Sequence, residues 1–430
     1  MKLEIGNIRV KELAFGDETT LSNGRVQINR EALIEFVRGL DHRITEVALN
    51  IALPGEKTRI MPVKDVIEPR VKVEGQGIIF GGRRSGEAEM LGEGRTHVLK
   101  GMAVVTAGRI VGFQEGIIDM SGPAAEYTPF SKTQNLVITC EVDDTCDRYE
   151  HEAILRLVGL ESANWIGKLA KEATPDEVET FETKPLIEQA QQYPELPKVG
   201  YVYMLQSQGL LHDSYLYGLD AKTICPTVLY PTEVLDGAVL SGNCVSACDK
   251  NPTYVHENDP IISELYKQHG KTVNFMGVIV TNENVTLVDK ERSSNFVTKL
   301  AVQLGLDAAI VSEEGFGNPD ADLMMNCAKL EDAGITTVLL TDEYAGQMGE
   351  SQSLADSNPK GNAVISNGNA NALITLPAMD KVIGHDSFAD IIAGGFDGSL
   401  HEDGSIRTEI QAIIGATNEL GFHNLTSIAG

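Results

Sequence analysis

The chain has 430 residues, of which 42% are hydrophobic and 23% charged, and its formal charge is −27. That length suits two or three domains with cores of their own. So strong a negative balance argues against nucleic acid or an anionic lipid surface as partner, since both need clustered Lys and Arg.

The opening "MKLEIGNIRVKEL" alternates charged and apolar residues and lacks the apolar core of a signal peptide. No apolar run approaches the roughly 18 residues of a membrane span. A cytoplasmic protein without a membrane span is expected, with its six cysteines (Cys140, Cys146, Cys225, Cys244, Cys248 and Cys327) kept as thiols.

In chain order, "RVKVEGQGIIF" and the two β-rich runs of "HVLKGMAVVTAGRIVGFQEGIIDM" around Ala107-Gly108 predict a β-rich N-terminal domain over 1–150, antiparallel and barrel-like. A charged helix is expected from about Glu150 to Glu172, with Leu155, Leu157, Val158, Trp165 and Ile166 as its apolar positions. "ATPDEVETFETKPLIEQAQQYPELPK" reads as a polar, proline-punctuated connection, so 151–195 form a helical and linker segment. The rest, 196–430, reads as an α/β domain. "VGYVYML" and "TVLYPTEVLDGAVL" supply strands. Asp259 and Pro260 open a helix that Gly270 closes.

From there strand and helix alternate. "NFMGVIV" is followed by a helix with Phe296, Leu300 and Leu304 on one face. "AAIVSEE" is followed by a helix capped at Asn318, then by "ITTVLLT". That succession predicts a mainly parallel sheet with flanking helices, an α/β fold. "AVISNGNANALITL" predicts a hairpin at Asn367-Gly368.

Several motifs carry weak chemical signals. "SEEGFGNPDAD" sets Gly315 and Gly317 at a strand-to-helix turn, yet Asp320 stands where a dinucleotide loop wants a third small residue. Glu313, Glu314 and Asp320 would repel a pyrophosphate, so a tight turn into a capped helix is the reading, with a role in shaping a pocket left open. Cys244, Cys248 and His256 lack the paired spacings of a zinc site. His151 and Glu152 read as solvated side chains. His212-Asp213 reads as a structural pair that could also orient a base.

The Asn243-Cys244 bond carries more. A thiol after the flexible Ser241-Gly242-Asn243 run can attack the preceding carbonyl, shifting the chain from nitrogen to sulfur. Loss of the Cys244 α-proton then expels the sulfur, and hydrolysis leaves a pyruvoyl group. A second Asn-Cys pair, Asn326-Cys327, lies within a helical pattern that ties up its carbonyl and makes Cys327 a small buried hydrophobe. Only the central copy is placed to react, although an inert loop cysteine stays open from the residues alone.

Long stretches then carry a resemblance: "PVKDVIEPRVKVEG", "GFQEGIIDMSGPAAEYTPFSKT", "YPELPKVGYVYMLQSQGLLHDSYLYG", "LSGNCVSACDKNPTYVH", "VTNENVTLVDKERSS", "SEEGFGNPDADL" and "AGGFDGSLHEDGSI". The chain resembles, over nearly its whole length, the proprotein of the α and β subunits of component B of glycine/sarcosine/betaine reductases. The D-proline reductase proprotein is a more distant likeness. The resemblance implies an oxidoreductase processed by self-cleavage into chains 1–243 and 244–430. Asn243 would end the first, and Cys244 would become the pyruvoyl cofactor of the second. It also implies that the ketone binds the substrate amine as a Schiff base, so that a selenocysteine-containing component B subunit can displace the amine. Small selenoprotein A and component C then lead on to acetyl phosphate.

Glycine ranks first as the amino acid substrate, before sarcosine and betaine. Tyr201, Tyr203, Tyr215 and Tyr217 read either as an aromatic cage for betaine or as plain packing. Cys248 is a candidate redox or proton-relay thiol, with packing as its other reading. An uncleaved thiol or metal-binding module, and a scaffold for the selenoprotein, are the competing functions.

Overall fold

The structure is a computed structural model that describes residues 1–430 except 85, 87, 88, 113, 243–246, 386, 388, 391 and 422–430. Its centre is a parallel sheet built from five strands in the C-terminal half: Lys198–Leu205, Asn274–Asn282, Ala308–Ser312, Thr336–Glu343 and Val364–Asn369. Numbered along the chain, they lie in the order 2-1-3-4-5, and a short antiparallel strand, Thr227–Leu229, borders the second. The chain leaves the first strand toward one side and comes back to add the third on the other. That reversal opens a crevice at the carboxyl ends of the first and third strands, where ligands bind in sheets of this kind.

Sequence alternation decides which face each side chain meets. In the first strand Tyr201, Tyr203 and Leu205 enter one core, while Val202 and Met204 enter another. The second core is roofed by the helices Leu287–Leu304 and Asn318–Asp332, which come after the second and third strands. Of the expected stripe, Leu304 is buried and Leu300 packs half-buried against this core, but Val297 and Ala301 take the inner face beside them, and Phe296 instead carries the Lys299 ammonium 4.3 Å above its ring. Asn318 is not the cap of its helix. Gly317 holds that place, its N–H donating to Asp320 Oδ1 at 2.7 Å, while Asn318 donates to Gln208 Oε1 at 2.6 Å.

The N-terminal half is rich in strands, as expected, but its sheets are mixed rather than antiparallel. Lys2–Arg9 runs parallel to Gly94–Lys100, and Met102–Ala107 runs parallel to Gln134–Val142. The two runs around Ala107-Gly108 flank Thr58–Ile67 on opposite sides, both antiparallel to it. Lys381–Gly384 then adds to the same strand in parallel. Long connections allow these parallel pairings, which hairpin signals in the sequence cannot announce. The polar connection near residue 180 contains an edge strand, Glu177–Glu182, paired with Lys2–Arg9. Its five exposed positions out of six explain why it reads as a linker, and charge on such an edge deters further pairing.

The predicted helix near 150–172 spans Arg148–Gly167, with Asp147 and Glu150 forming a capping box. Glu152 is buried on it and paired with Arg156, so the solvated reading fails there. The expected hairpin at Asn367-Gly368 is absent. Val364–Asn369 pairs with the fourth strand and Leu373–Leu376 pairs with Ile406–Glu409, while the Asn367 amide donates to the Asn418 and Glu419 carbonyls at 2.8 and 2.7 Å.

One core joins the two halves: Ile60, Val63, Val105 and Val137 of the N-terminal strands cluster with Tyr201, Tyr203, Val278 and Val280 of the parallel sheet. Arg70 crosses the same junction, meeting Glu68 at 2.6 Å, Glu257 at 2.9 Å and the Leu235 carbonyl at 2.7 Å, all out of solvent. Truncating one member of such a network strands the others as buried charges. Arg70→Met is expected to lower the unfolding free energy by about 3–5 kcal/mol, read by urea denaturation.

Candidate functional site

The site is assembled at the carboxyl ends of the parallel strands. Gln206 and Ser207 come directly after the first, Glu283 after the second, and Glu313 and Glu314 after the third, while Asp342 lies near the end of the fourth. All four carboxylates are buried, as is Glu419 near the end of the described chain. They interlock through the backbone. Glu314 accepts from the N–H groups of Gln206 at 3.1 Å and Asn251 at 2.9 Å, and its own N–H donates to Glu283 Oε1 at 3.0 Å. The Asn251 amide donates to Glu419 Oε1 at 2.7 Å.

The segment that carries the expected cut is fastened into this crevice from both sides. Asn243 and Cys244 themselves lie outside the described residues. Before them, Val239–Ser241 pairs antiparallel with Ser214–Leu216, and the Gly242 N–H donates to the Asp213 carbonyl. A Cβ on Gly242 would sit 1.8 Å from the His212 carbonyl oxygen, so only glycine fits. Beyond them, Ala247 and Cys248 offer their carbonyls to the N–H groups of Gly415 and Thr417 at 2.9 and 3.2 Å. Lys250 ties the two sides together: its buried ammonium donates to the Gly242 carbonyl at 2.8 Å and to the Lys64 carbonyl at 2.5 Å. Asp65, beside Lys64, holds Thr253 through its N–H at 2.9 Å and its hydroxyl at 2.7 Å.

Burial controls the titration of these groups. It lifts Glu314 to about 8, against the pull of the Asn251 and Gln206 N–H groups. Glu283 and Glu313 are pushed well up by burial and then by neighbouring carboxylates. Asp342 and Glu419 move the same way for the same reasons. Asp65 and Asp213 rise to about 6, burial outweighing the attraction of lysines nearby. His256 is driven down to about 3 by burial and then by Lys250, so it stays neutral, with Nδ1 2.6 Å from the Tyr203 hydroxyl.

The other residues singled out in the sequence fall into place around this centre. Cys248 is buried, its thiol 3.1 Å from the Tyr344 hydroxyl and pushed well up by burial and by Asp249 and Asp342, so it keeps its proton and is not poised as a nucleophile. Cys248, Asp249 and Asp342 form a group able to hold a metal ion, and His256 is not part of it. His212 pairs with Asp220 at 2.5 Å rather than with Asp213, whose Oδ2 takes the Gly209 N–H. Tyr201 and Tyr203 stack in the core with centroids 5.0 Å apart, Tyr215 is buried beneath Arg156, and the Tyr217 hydroxyl donates to Glu233 at 2.7 Å. They pack instead of forming a cage. Cys327 is a buried helical residue, as expected.

The residues missed in the sequence are Lys250, Asp65, Glu283, Asp342 and Glu419. A signal for some of them is present, because "TNE", "SEE" and "TDE" repeat a hydroxyl-bearing residue and an acid at the end of three successive strands. Beside this edge, a cleft of about 350 Å³ is lined by Ser207, Lys222, Glu283, Asn284 and Arg292. A separate apolar cavity of about 230 Å³, lined by Leu186, Val228 and Met276 among others, lies away from these groups.

A sequence model described as glycine/sarcosine/betaine reductase component B subunits matches residues 1–428. The chain is 62% identical, over 99% of both sequences, to the glycine reductase complex component B subunits alpha and beta of Peptoclostridium acidaminophilum. It is 52% identical, again over 99% of both, to the sarcosine reductase complex component B subunit alpha of the same organism. The D-proline reductase proprotein PrdA of Acetoanaerobium sticklandii is 22% identical over 78% of this chain and 54% of its own length. No solved structure matches. Among the described residues, no helix is long and apolar enough to cross a membrane.

The raised carboxyl groups set the sign of the pH response. A carboxyl whose folded pKa lies above its unfolded value contributes stability that is complete below the unfolded pKa and is lost as pH rises through the folded one. His256 acts oppositely, and only below its ordinary 6.5. Between pH 6.5 and 8 the unfolding free energy is therefore expected to fall as pH rises. Glu314→Gln should flatten that slope by about 1.4 kcal/mol per pH unit, measured by urea unfolding across the range.

Proposed function

Because the chain belongs to the family of glycine/sarcosine/betaine reductase component B subunits, we propose that it is the substrate-activating part of a glycine reductase. The observation that carries this reading is the seating of the chain on either side of the cut, Gly242 and residues 247–251, in the crevice at the carboxyl edge of the parallel sheet, among buried acids and the buried Lys250 ammonium. The cofactor is a pyruvoyl group made from Cys244 when the backbone is cut after Asn243, and it supplies a ketone that takes up the substrate's amine and draws electrons from its bond to the α-carbon.

The residues flanking the cut suit that group. Lys250 grips the carbonyl of Gly242, one residue before the bond to be broken, and so fixes the strand end while the chain beyond it rearranges. After cleavage the same ammonium, borne by the second chain, still holds the end of the first. Asp213, Ser214 and Asn251 keep the two ends in register through backbone contacts that do not depend on the cut bond.

Glu314 is the group best suited to move a proton. An amino acid arrives as an ammonium and must lose a proton before its nitrogen can react, and a carboxyl titrating near neutrality is matched to that task. Lys222 and Arg292, in the cleft beside Ser207 and Glu283, offer positive charge to the substrate carboxylate. Glycine comes first because the glycine reductase relative is more similar than the sarcosine one.

The sequence holds no selenocysteine, so the nucleophile that displaces the amine comes from a partner component carrying a selenol, as the resemblance implies. The exposed apolar side chains of Val285, Leu287, Val288 and Phe316 stand in or beside the turns after the second and third strands and suit contact with a partner at this edge.

Intact mass of protein from its native host is expected to show chains 1–243 and 244–430, the second without a free amino group at its start. Cys244→Ala should leave one unbroken chain, and Lys250→Met should slow cutting by roughly tenfold or more. Borohydride should fix labelled glycine to the second chain. A free terminal cysteine on that chain removes the cofactor from the reading, and an unbroken chain with full turnover removes the reading itself.

A further inference from the structure

We propose that Cys248, Asp249 and Asp342 form a binding site for one divalent transition-metal ion, zinc(II) being the cation their chemistry fits first. One ligand atom from each lies within 4.8 Å of the other two, and all three residues are buried. The Cys248 sulfur is 4.0 Å from Asp342 Oδ2. Zinc bound tetrahedrally at about 2.3 Å to sulfur and about 2.0 Å to oxygen holds such a pair roughly 3.5 Å apart. Closing the site therefore needs only a small inward shift.

The framework is held by backbone contacts. Asp342 rides on the fourth parallel strand, and the turn bearing Cys248 and Asp249 is pinned by the bond from the Thr417 N–H to the Cys248 carbonyl. Thr417 also orients the carboxylate, its hydroxyl donating to Asp342 Oδ2 at 2.7 Å, which is how ligating carboxylates are held by the groups behind them.

A second observation asks for a cation. Asp342 is 2% exposed, and its other oxygen, Oδ1, has no hydrogen-bond partner. A buried carboxylate oxygen left so is costly unless positive charge meets it. Glu313, also buried, keeps one oxygen without a partner as well. One thiolate with two carboxylates is a borderline donor set, too soft for magnesium or calcium and suited to zinc.

Binding exchanges ligand protons for the metal: the S–H bond breaks, a sulfur–metal bond forms, and the thiol proton leaves to solvent together with any proton on the ligating carboxyls, with no change of oxidation state. Three protein ligands leave a fourth position for water or a small ligand. The site does not depend on cleavage at Asn243-Cys244, so the metal measurement and the chain-mass measurement fail separately.

The test uses the full-length protein, cut or uncut as isolated, stripped with chelator and titrated with zinc(II), then with cobalt(II). One ion per chain is expected, with a thiolate-to-cobalt charge-transfer band in the near ultraviolet. Cys248→Ser should abolish the band, and Asp342→Asn should weaken binding by about a hundredfold. Thr417→Val, which spares all three ligands, should weaken it by about tenfold. Circular dichroism identifies any variant that has not folded. Failure of folded protein to take up either ion, or uptake indifferent to Cys248→Ser and Asp342→Asn, overturns the proposal.

Discussion

The structure turns on one electrostatic constraint: several carboxylates are buried together where the parallel sheet reverses its strand order. Glu283, Glu313, Glu314, Asp342 and Glu419 leave water at the carboxyl edge of the sheet, and like charges at such distances cannot all stay ionised in a medium of low polarity. Backbone N–H groups relieve Glu314 and Glu283 only in part, and burial favours the protonated form of all five. Lys250 is a cation close to Asp65, Glu314 and His256, while Lys222 pairs with Asp213 at 3.7 Å. The two backbone contacts of Lys250 convert its charge into position, fixing the strand end at Gly242.

Two further stretches of the chain close this region from water. Thr58–Ile67 is buried along its whole length because strands flank it on both edges and the core shared with the parallel sheet lies against its face. It delivers Lys64 and Asp65 to the crevice. From the other end of the sequence, residues 415–419 fold back along 247–251, so that Asn418 bonds the Lys250 carbonyl at 3.0 Å and the Asn251 side chain at 2.6 Å. Three distant stretches of chain thus meet at one turn. Such a site exists only once these three stretches have folded together.

The parallel sheet is legible because its strands are continuous apolar runs and its helices begin at recognisable caps. Asp259 caps Pro260–Gln268 through the Ile262 N–H, as its sequence position predicts. The mixed N-terminal sheets are not legible. Parallel pairing between Lys2–Arg9 and Gly94–Lys100 leaves no local mark, since about ninety residues intervene. Glu177–Glu182 resembles a linker because an edge strand can be charged on nearly every position, and Asn367-Gly368 resembles a hairpin turn because the dipeptide suits one. In each case local propensity is outweighed by which partner strand tertiary folding supplies.

The sequence by itself determined the family resemblance, the strand and helix succession of the C-terminal half, and the contrast between two Asn-Cys pairs, one of which lies in a helix. These are properties of neighbours along the chain, where periodicity and motif spacing operate. Only the tertiary structure decided that Lys250, Asp65, Asp342 and Glu419 belong with the chain around Gly242 and Asn251, and that His256 turns to Tyr203. The physical reason is that ionisation and burial depend on distances across the fold, and residues more than a hundred positions apart set each other's charge.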